Sequence, residues 1–364
     1  MPLTPLQTLF TLSLLPNLGH AFSGSVDTIE GELTGEIQVQ LKNLEPQIGP
    51  WELVWGPAVF ELPASDRPDN IMLVARNGGV AGLPGLVVAV AGTNPYSFLD
   101  WLVEDFLVST QIPWPTGSAA GQAMISLGTF NGLAALQKLK PGPGQPGAGT
   151  TVRSFLSTQV RAPVAINVCG HSLGGALSPT LALWLHDTQA DWDPAHHASF
   201  SVLPSAGPTA GNQAFAAYSD SQIGPQVTRL HNPLDVVPHA WAATDLAAVP
   251  GLYLPQIAPD PVVQGFGDLA LAISKGCGYA QIDPGAPPLA GAAVDPAEIR
   301  WFDPPFVNFF RQAGFQHVDA YSDLLGLGTE TLGPMMLRIK TGARLVRPTD
   351  ILARLKGKLA KSGF

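Results

Sequence analysis

Gly170-His171-Ser172-Leu173-Gly174-Gly175 sets a serine among glycines, directly after an unbroken apolar run and directly before a helix-forming segment. A serine hydroxyl becomes a nucleophile only when a base takes its proton, and the base holds its orientation only when an acid binds its far side. Residues 163–169 (PVAINVC) read as a buried parallel strand, and residues 173–187 carry Ala, Leu and Trp at helical spacing. The glycines at 170 and 174 relieve crowding around the sharp turn between them, which lifts the Ser172 hydroxyl above the sheet edge. The helix N-terminus then faces the point where an ester oxyanion would form, and the Leu173 N–H is its best-placed donor.

A nucleophile elbow of this kind predicts a carboxylate and then a histidine further along the chain. Only His186, His196, His197, His231, His239 and His317 follow Ser172. Asp235 lies at the end of a strand-like run, in the turn-rich loop Arg229 to Pro238, where an orienting carboxylate belongs. His239 stands four residues from it on a proline-containing loop, which leaves little freedom to bridge that acid and a distant serine. His317 comes from a separate segment, Phe315 to Tyr321, and is the predicted base. A second oxyanion donor is predicted at Thr93, through its backbone N–H and hydroxyl, where the apolar run 86–93 (LVVAVAGT) ends. Losing one such donor typically costs about 3–4 kcal/mol in the transition state.

These residues need a rigid frame. Apolar runs at 71–75, 85–91, 163–169, 199–204 and 226–231 alternate with helical or glycine-rich segments, which predicts an α/β fold with a largely parallel central sheet. The 46% hydrophobic content of the 364 residues fills a sizeable core, while 39 glycines and 35 prolines imply long irregular connections. Residues 141–149 (PGPGQPGAG) resemble a phosphate loop but lack its Gly-Lys-Ser/Thr ending, and read as a surface connection. Proline-rich stretches at 255–261 and 284–305 bracket a helical candidate at 267–275, so residues 248–305 are expected to form an elaborated cap or flap. The expected organisation is a single domain over 1–364, with an N-terminal helical segment at 1–50, a core at about 70–322 and a basic tail at 338–364.

The motifs together resemble class 3 lipases, the fungal-lipase-like α/β hydrolases. The matching pieces are Val-Ala-Gly-Thr (90–93), Asp100-Trp101-Leu102 with Asp105, Gly-His-Ser-Leu-Gly-Gly-Ala (170–176), Gly-Pro-Thr-Ala-Gly-Asn-Gln-Ala-Phe (207–215), Asn232 to Pro238, and His317 with Tyr321. The resemblance runs from about residue 70 to about 322 and implies an α/β-hydrolase fold, a Ser172-Asp235-His317 triad and an oxyanion hole from Thr93 and Leu173. Ala91 and Thr209 stand where the family commonly has arginine, and 82 positions separate Asp235 from His317, a long step for the family. The implied activity is carboxylic ester hydrolysis, with triacylglycerol as the expected substrate. Phospholipase A1 and feruloyl-type esterase use the same triad, and a non-catalytic lipid- or partner-binding relative is the alternative of another class.

Residues 95–107 (PYSFLDWLVEDFL) predict a lid helix whose Leu99, Leu102, Val103 and Phe106 share one face, with Trp101 beside them as an acyl contact and Asp100 and Glu104 on another. Burying those four side chains is worth at most roughly 6–12 kcal/mol, so opening toward a lipid–water interface is expected to be favoured over opening in water. No metal or cofactor is expected, since Asp191, Asp193, His196 and His197 read as a solvated loop. The net charge of −9 argues against nucleic acid, although the region from Arg338 onward carries eight Lys or Arg against Asp350 alone. Within that tail, 349–361 sets Ile351, Leu352, Leu355 and Leu359 opposite its lysines, a pattern suited to lipid headgroups or to docking on the acidic body. No run reaches the roughly 18 apolar residues of a membrane span. LFTLSLL (9–15) resembles a secretory segment, yet the first basic residue is Lys42, and Thr4-Pro5-Leu6-Gln7 fits a helix start with a capping box. A retained helix and a cytoplasmic location are therefore expected. Cys169 reads as a small core residue, with a bridge to Cys277 left open.

Overall fold

A computed structural model describes residues 1–61, 67–92, 107–117 and 119–342. Thr93, the lid face of Leu99, Trp101, Leu102, Val103 and Phe106, and the tail beyond 342 lie outside the described residues.

The central sheet has the strand order β1 (Trp51–Phe60), β2 (Asn70–Asn77), β3 (Leu86–Val90), β4 (Val164–His171), β5 (Ala198–Ser205). β1–β2 and β2–β3 are antiparallel, β3–β4 and β4–β5 parallel, so four strands share one direction and β2 alone opposes them. β3 is buried along its whole length and its register pairs Val90 with Gly170, which brings the residues after β3 level with the serine turn after β4. A second, four-stranded sheet joins the short strands Gln111–Pro113, Met124–Ser126, Gly211–Asn212 and Tyr279–Ala280.

Helices cover both faces. One apolar cluster packs α3 (Leu173–Asp187) and the helices Leu127–Lys138 and Val152–Gln159 onto Val74, Val88, Ile166 and Val168. The opposite cluster joins Leu73, Val87, Cys169 and Leu203 to α1 (Pro5–Leu14), α2 (Val26–Ile48) and α6 (Gly328–Gly342). α1 begins with the capping box read from the sequence: the Gln7 N–H donates to the Thr4 hydroxyl, and the Gln7 side chain accepts from the Thr4 N–H. A third cluster lies over the loop after Asp235, where Val236, Val237 and Trp241 meet Val263 and Phe266 of α4 (Pro261–Ile273) and Phe309 and Phe310 of α5 (Pro305–Val318). The expected flap region thus packs directly on that loop.

The structure departs from the sequence reading at several places. Residues 226–231 form no strand; they make only isolated parallel bridges, Val227 to Val202 and Leu230 to Ser205, because Pro225 and Pro233 on either side lack the N–H that a longer ladder would need. β1 falls between the expected helical segment (1–50) and the expected core (about 70–322), where no element is read from the sequence. Its register shifts between Leu53 and Ala58, so the proline sits where no ladder bond is required, and the Gly56 N–H donates instead to the Pro146 carbonyl of the 141–149 connection. α4 starts at Pro261 rather than 267 because the Asp260 carboxylate accepts the Val262 N–H as its N-cap. Asp193 is not solvated: it is buried, and its Oδ2 accepts the Ala198 N–H at 2.8 Å and the Gln189 amide at 2.9 Å, closing the turn into β5, while Asp191 and His196 are exposed. Cys169 and Cys277 are both free thiols, Cys169 buried in the core.

Candidate active site

Ser172 occupies the turn between β4 and α3 with φ 62° and ψ −124°, a conformation costly for any residue with a side chain. Neighbouring backbone fixes it there: the Ser172 N–H donates to the Ser205 carbonyl at 3.0 Å, and its carbonyl accepts the Gly175 N–H at 2.8 Å. Only glycine fits around it. A Cβ at Gly170 would lie 2.4 Å from the Gly174 carbonyl oxygen, and one at Gly174 would lie 2.3 Å from the Val90 carbonyl oxygen. The glycine spacing read from the sequence therefore reflects β3, β4 and α3 meeting at contact distance. Leu173 is the first residue of α3, where helix geometry leaves the N–H without an intrahelical acceptor.

His317 sits in the last turn of α5 and reaches both predicted partners. Its Nε2 is 2.8 Å from the Ser172 Oγ, and its Nδ1 is 2.9 Å from the Asp235 Oδ2. Ser172 is 4% exposed, and Asp235 and His317 are 0% exposed. Nδ1–H thus faces the carboxylate, leaving the Nε2 lone pair to receive the serine proton. His239 instead points its Nδ1 at the Asp235 backbone carbonyl, 2.8 Å away, within its own loop.

The sequence reading did not anticipate the groups that hold these three. Asp235 Oδ1 accepts the Val237 N–H at 3.0 Å, and Oδ2 also accepts the Tyr321 hydroxyl at 3.0 Å. The Tyr321 oxygen in turn accepts the Asn232 N–H at 3.0 Å, tying the acid loop to the helix after His317. Burial, and then the Asp235 charge, raise the Tyr321 phenol well above its usual pKa, so it remains a donor. Behind the base lies a second imidazole. His171 Nε2 donates to the His317 carbonyl at 2.9 Å, and its Nδ1 is 3.2 Å from the Ser205 hydroxyl. Burial, and then the proximity of His317, lower the pKa of His171 to about 3, so it stays neutral and acts as a fixed donor. Tyr321, four residues after His317, was visible as a motif position; nothing in the sequence pattern distinguished the positioning task of His171 from an ordinary loop residue.

Thr209, an unusual residue for the resemblance, ties down the loop beyond Asp235: its N–H donates to the Ala240 carbonyl at 2.7 Å and its Oγ1 accepts the Trp241 N–H at 2.8 Å. The long step from Asp235 to His317 is taken up by the third apolar cluster. Leu173 packs against that cluster, which opens through Trp241 and Tyr279 into a cavity of about 950 Å³ walled also by Gly265, Leu269 and Ala272. Among the described residues no group of three His, Cys, Asp or Glu side chains is placed to hold a metal ion, and no helix is long and apolar enough to cross a membrane.

A buried alcohol, imidazole and carboxylate in hydrogen-bonded series on an α/β-hydrolase sheet define a serine hydrolase geometry. The class 3 lipase family model matches residues 87–244. The solved M37 lipase is 35% identical over 92% of this chain and 96% of its own, with a TM-score of 0.81. The chain belongs to the class 3 lipase family, whose members are carboxylic ester hydrolases. At lower similarity stand a triacylglycerol lipase with a serine protease triad (18% identity, 65% of this chain, 75% of that one, TM-score 0.41) and a lipase from Rhizopus microsporus var. chinensis (19%, 64%, 69%, 0.41). No curated protein matches.

Proposed function

We propose that this lipase hydrolyses triacylglycerol through an acyl-enzyme on Ser172. His317 Nε2 takes the Ser172 proton as Oγ attacks the ester carbonyl, while Asp235 holds the imidazole by Nδ1 and balances its positive charge. The Leu173 N–H, at the mouth of α3, and the Thr93 N–H receive the tetrahedral oxyanion. Collapse expels the alcohol, protonated by His317, and water then attacks the acyl-enzyme by the same route. The observation that carries this reading is the 2.8 Å and 2.9 Å pair of contacts made by one imidazole to an alcohol and an acid.

The family assignment supports an ester of lipid type. The amphipathic pattern at 95–107 supports activity at a lipid–water interface. A p-nitrophenyl ester series of increasing chain length, run below and above substrate solubility, tests the substrate: long chains and a rise in rate at the solubility limit are expected. Preference for short soluble esters with no such rise overturns it, and preferential hydrolysis of phosphatidylcholine or feruloyl sugar esters identifies the sister activities. Fluorophosphonate labels Ser172 in the wild type and not in Ser172→Ala if the nucleophile is correctly assigned.

A further inference from the structure

Arg300-Trp301-Phe302-Asp303 turns two aromatic rings into water just before α5. Trp301 is 92% exposed and Phe302 64%, and the rings pack on each other edge to face, with centroids 5.7 Å apart. The turn beneath them is tightly held. The Asp303 N–H closes it on the Arg300 carbonyl at 3.0 Å. Asn308 of α5, itself buried, accepts the Arg300 N–H at 2.9 Å and donates its amide to the Arg300 carbonyl at 2.9 Å. Arg311, one turn further along, donates to Asp303 Oδ2 at 2.6 Å and to Asn308 Oδ1 at 3.0 Å. Ile299 and Phe306, on either side of the turn, pack against the third apolar cluster. The backbone is thus fixed while its two largest apolar side chains are left outside, the reverse of what the hydrophobic effect selects in a surface that meets only water.

Area decides what can cover the pair. An aromatic side chain buries about 150–250 Å², so the two offer at most roughly 500 Å², short of the roughly 800 Å² per partner of a stable protein interface. A lipid surface sets no such threshold, because each ring that leaves water contributes by itself. Charge decides which lipid surface. Residues 298–311 carry Glu298, Arg300, Asp303 and Arg311, two of each sign, so the attraction comes from ring insertion and suits a zwitterionic headgroup layer. α5 carries the pair at its start and His317 in its last turn, about 18 Å apart along the axis. Leu254, also exposed, is the chain neighbour of Tyr253, whose ring lies 4.8 Å from Phe309 of the same helix. We propose that Trp301 and Phe302 anchor the enzyme to a zwitterionic phospholipid surface by inserting both rings, which keeps the helix that carries the base at the lipid boundary. This rests on the reading that the substrate is a lipid ester. The anchor is preformed, so insertion does not have to order a loop.

The test uses the full chain in an inactive Ser172→Ala background, so that no lipid is hydrolysed, with phosphatidylcholine vesicles. Cosedimentation gives the partition coefficient of this parent and of the same chain carrying Trp301→Ser, Phe302→Ser, both, or Trp301→Phe. Each single Ser substitution is expected to lower it about tenfold and the two together about a hundredfold. Trp301→Phe should keep most of it, and added salt should leave it nearly unchanged, since insertion rather than charge supplies the attraction. In the active chain the same Ser substitutions should leave Tm and kcat/KM on a soluble p-nitrophenyl ester unchanged. The inference fails if the parent does not partition at all, or if the double Ser variant partitions as the parent does. A parent that ignores vesicles but sediments as a dimer, which the double Ser variant breaks, assigns the pair to a second copy of this chain and also overturns it. The two readings fail separately. Vesicle binding lost in the double Ser variant, beside an active chain that cleaves soluble esters and no triacylglycerol, keeps the anchor and removes the substrate; triacylglycerol hydrolysis beside equal vesicle binding of parent and double Ser variant removes only the anchor.

Discussion

Tyr321→Phe separates the tethering of the acid loop from the chemistry of the triad. The Tyr321 ring stacks on Phe10 at 6.3 Å and meets His171 edge-on at 5.2 Å, contacts that phenylalanine keeps. Only the hydroxyl is lost, and with it one donor to Asp235 Oδ2 and the acceptor for the Asn232 N–H. Asp235 retains the His317 and Val237 N–H groups, one on each oxygen, so the imidazole keeps its tautomer and orientation. The Asn232 N–H is left buried without that partner, which costs about 1–3 kcal/mol. Unfolding entropy of about 2 cal/mol/K per residue converts this into a Tm drop of roughly 1–4 °C for a chain of this size. Activity should fall less than about tenfold, against the roughly 10⁴-fold loss expected for Asp235→Asn, which presents the wrong group to Nδ1. The assay is kcat on a soluble ester alongside a calorimetric Tm for both variants. A thousandfold loss of kcat in Tyr321→Phe at unchanged Tm would refute the reasoning, because the phenol would then belong to the reacting proton network.

Other expectations follow from the same geometry. Gly174→Ala forces a methyl to 2.3 Å from the Val90 carbonyl oxygen in rigid sheet backbone, and should reduce kcat at least a hundredfold in whatever protein folds; near-normal kcat in soluble enzyme would show that the turn has slack. His20 and His171 have folded pKa values of about 4 and about 3, below the unfolded value near 6.5, so the unfolded state takes up protons first as pH falls. Their contribution is complete above about pH 6.5 and declines toward pH 4, by about 2 kcal/mol for each group at pH 5. Denaturant unfolding at pH 8 and pH 5 measures it, and His20→Gln should remove about 2 kcal/mol of the difference, His171 and His231, also lowered to about 4, accounting for the rest of the histidine part. An equal pH dependence in that variant would contradict the assignment of His20.

The parts of the site that could be read from the chain were those whose physics is local. An uninterrupted apolar run followed by glycine, serine and glycine specifies strand, turn and helix within about twenty residues, and the serine-acid-histidine order then singled out Asp235 and His317. The supporting groups carry no local signal for what they hold: Asn17 and His20, which hydrogen-bond Gly92, His171 in the elbow, and Tyr321, visible as a motif position but not as the partner of Asp235. Their roles depend on contacts across 72 to 146 positions, which no periodicity encodes. β1 lay between the segments read from the sequence, and the effect of Pro57 on a strand depends on where the ladder breaks; the bridges at 227 and 230 show the reverse error, an apolar run whose flanking prolines limit it.

The amino-terminal segment and the last described helices meet beneath the catalytic turn. The Gln7 side chain donates to the Leu325 carbonyl at 2.7 Å, Phe10 stacks on Tyr321, and α6 packs on the 3₁₀ segment Leu15–Ala21 that holds Gly92. The base lies 145 positions after the nucleophile, so a chain emerging from the ribosome carries Ser172 long before it carries His317. Hydrolysis requires their contact, so turnover reports that the segments around Ser172, Asp235 and His317 have come together.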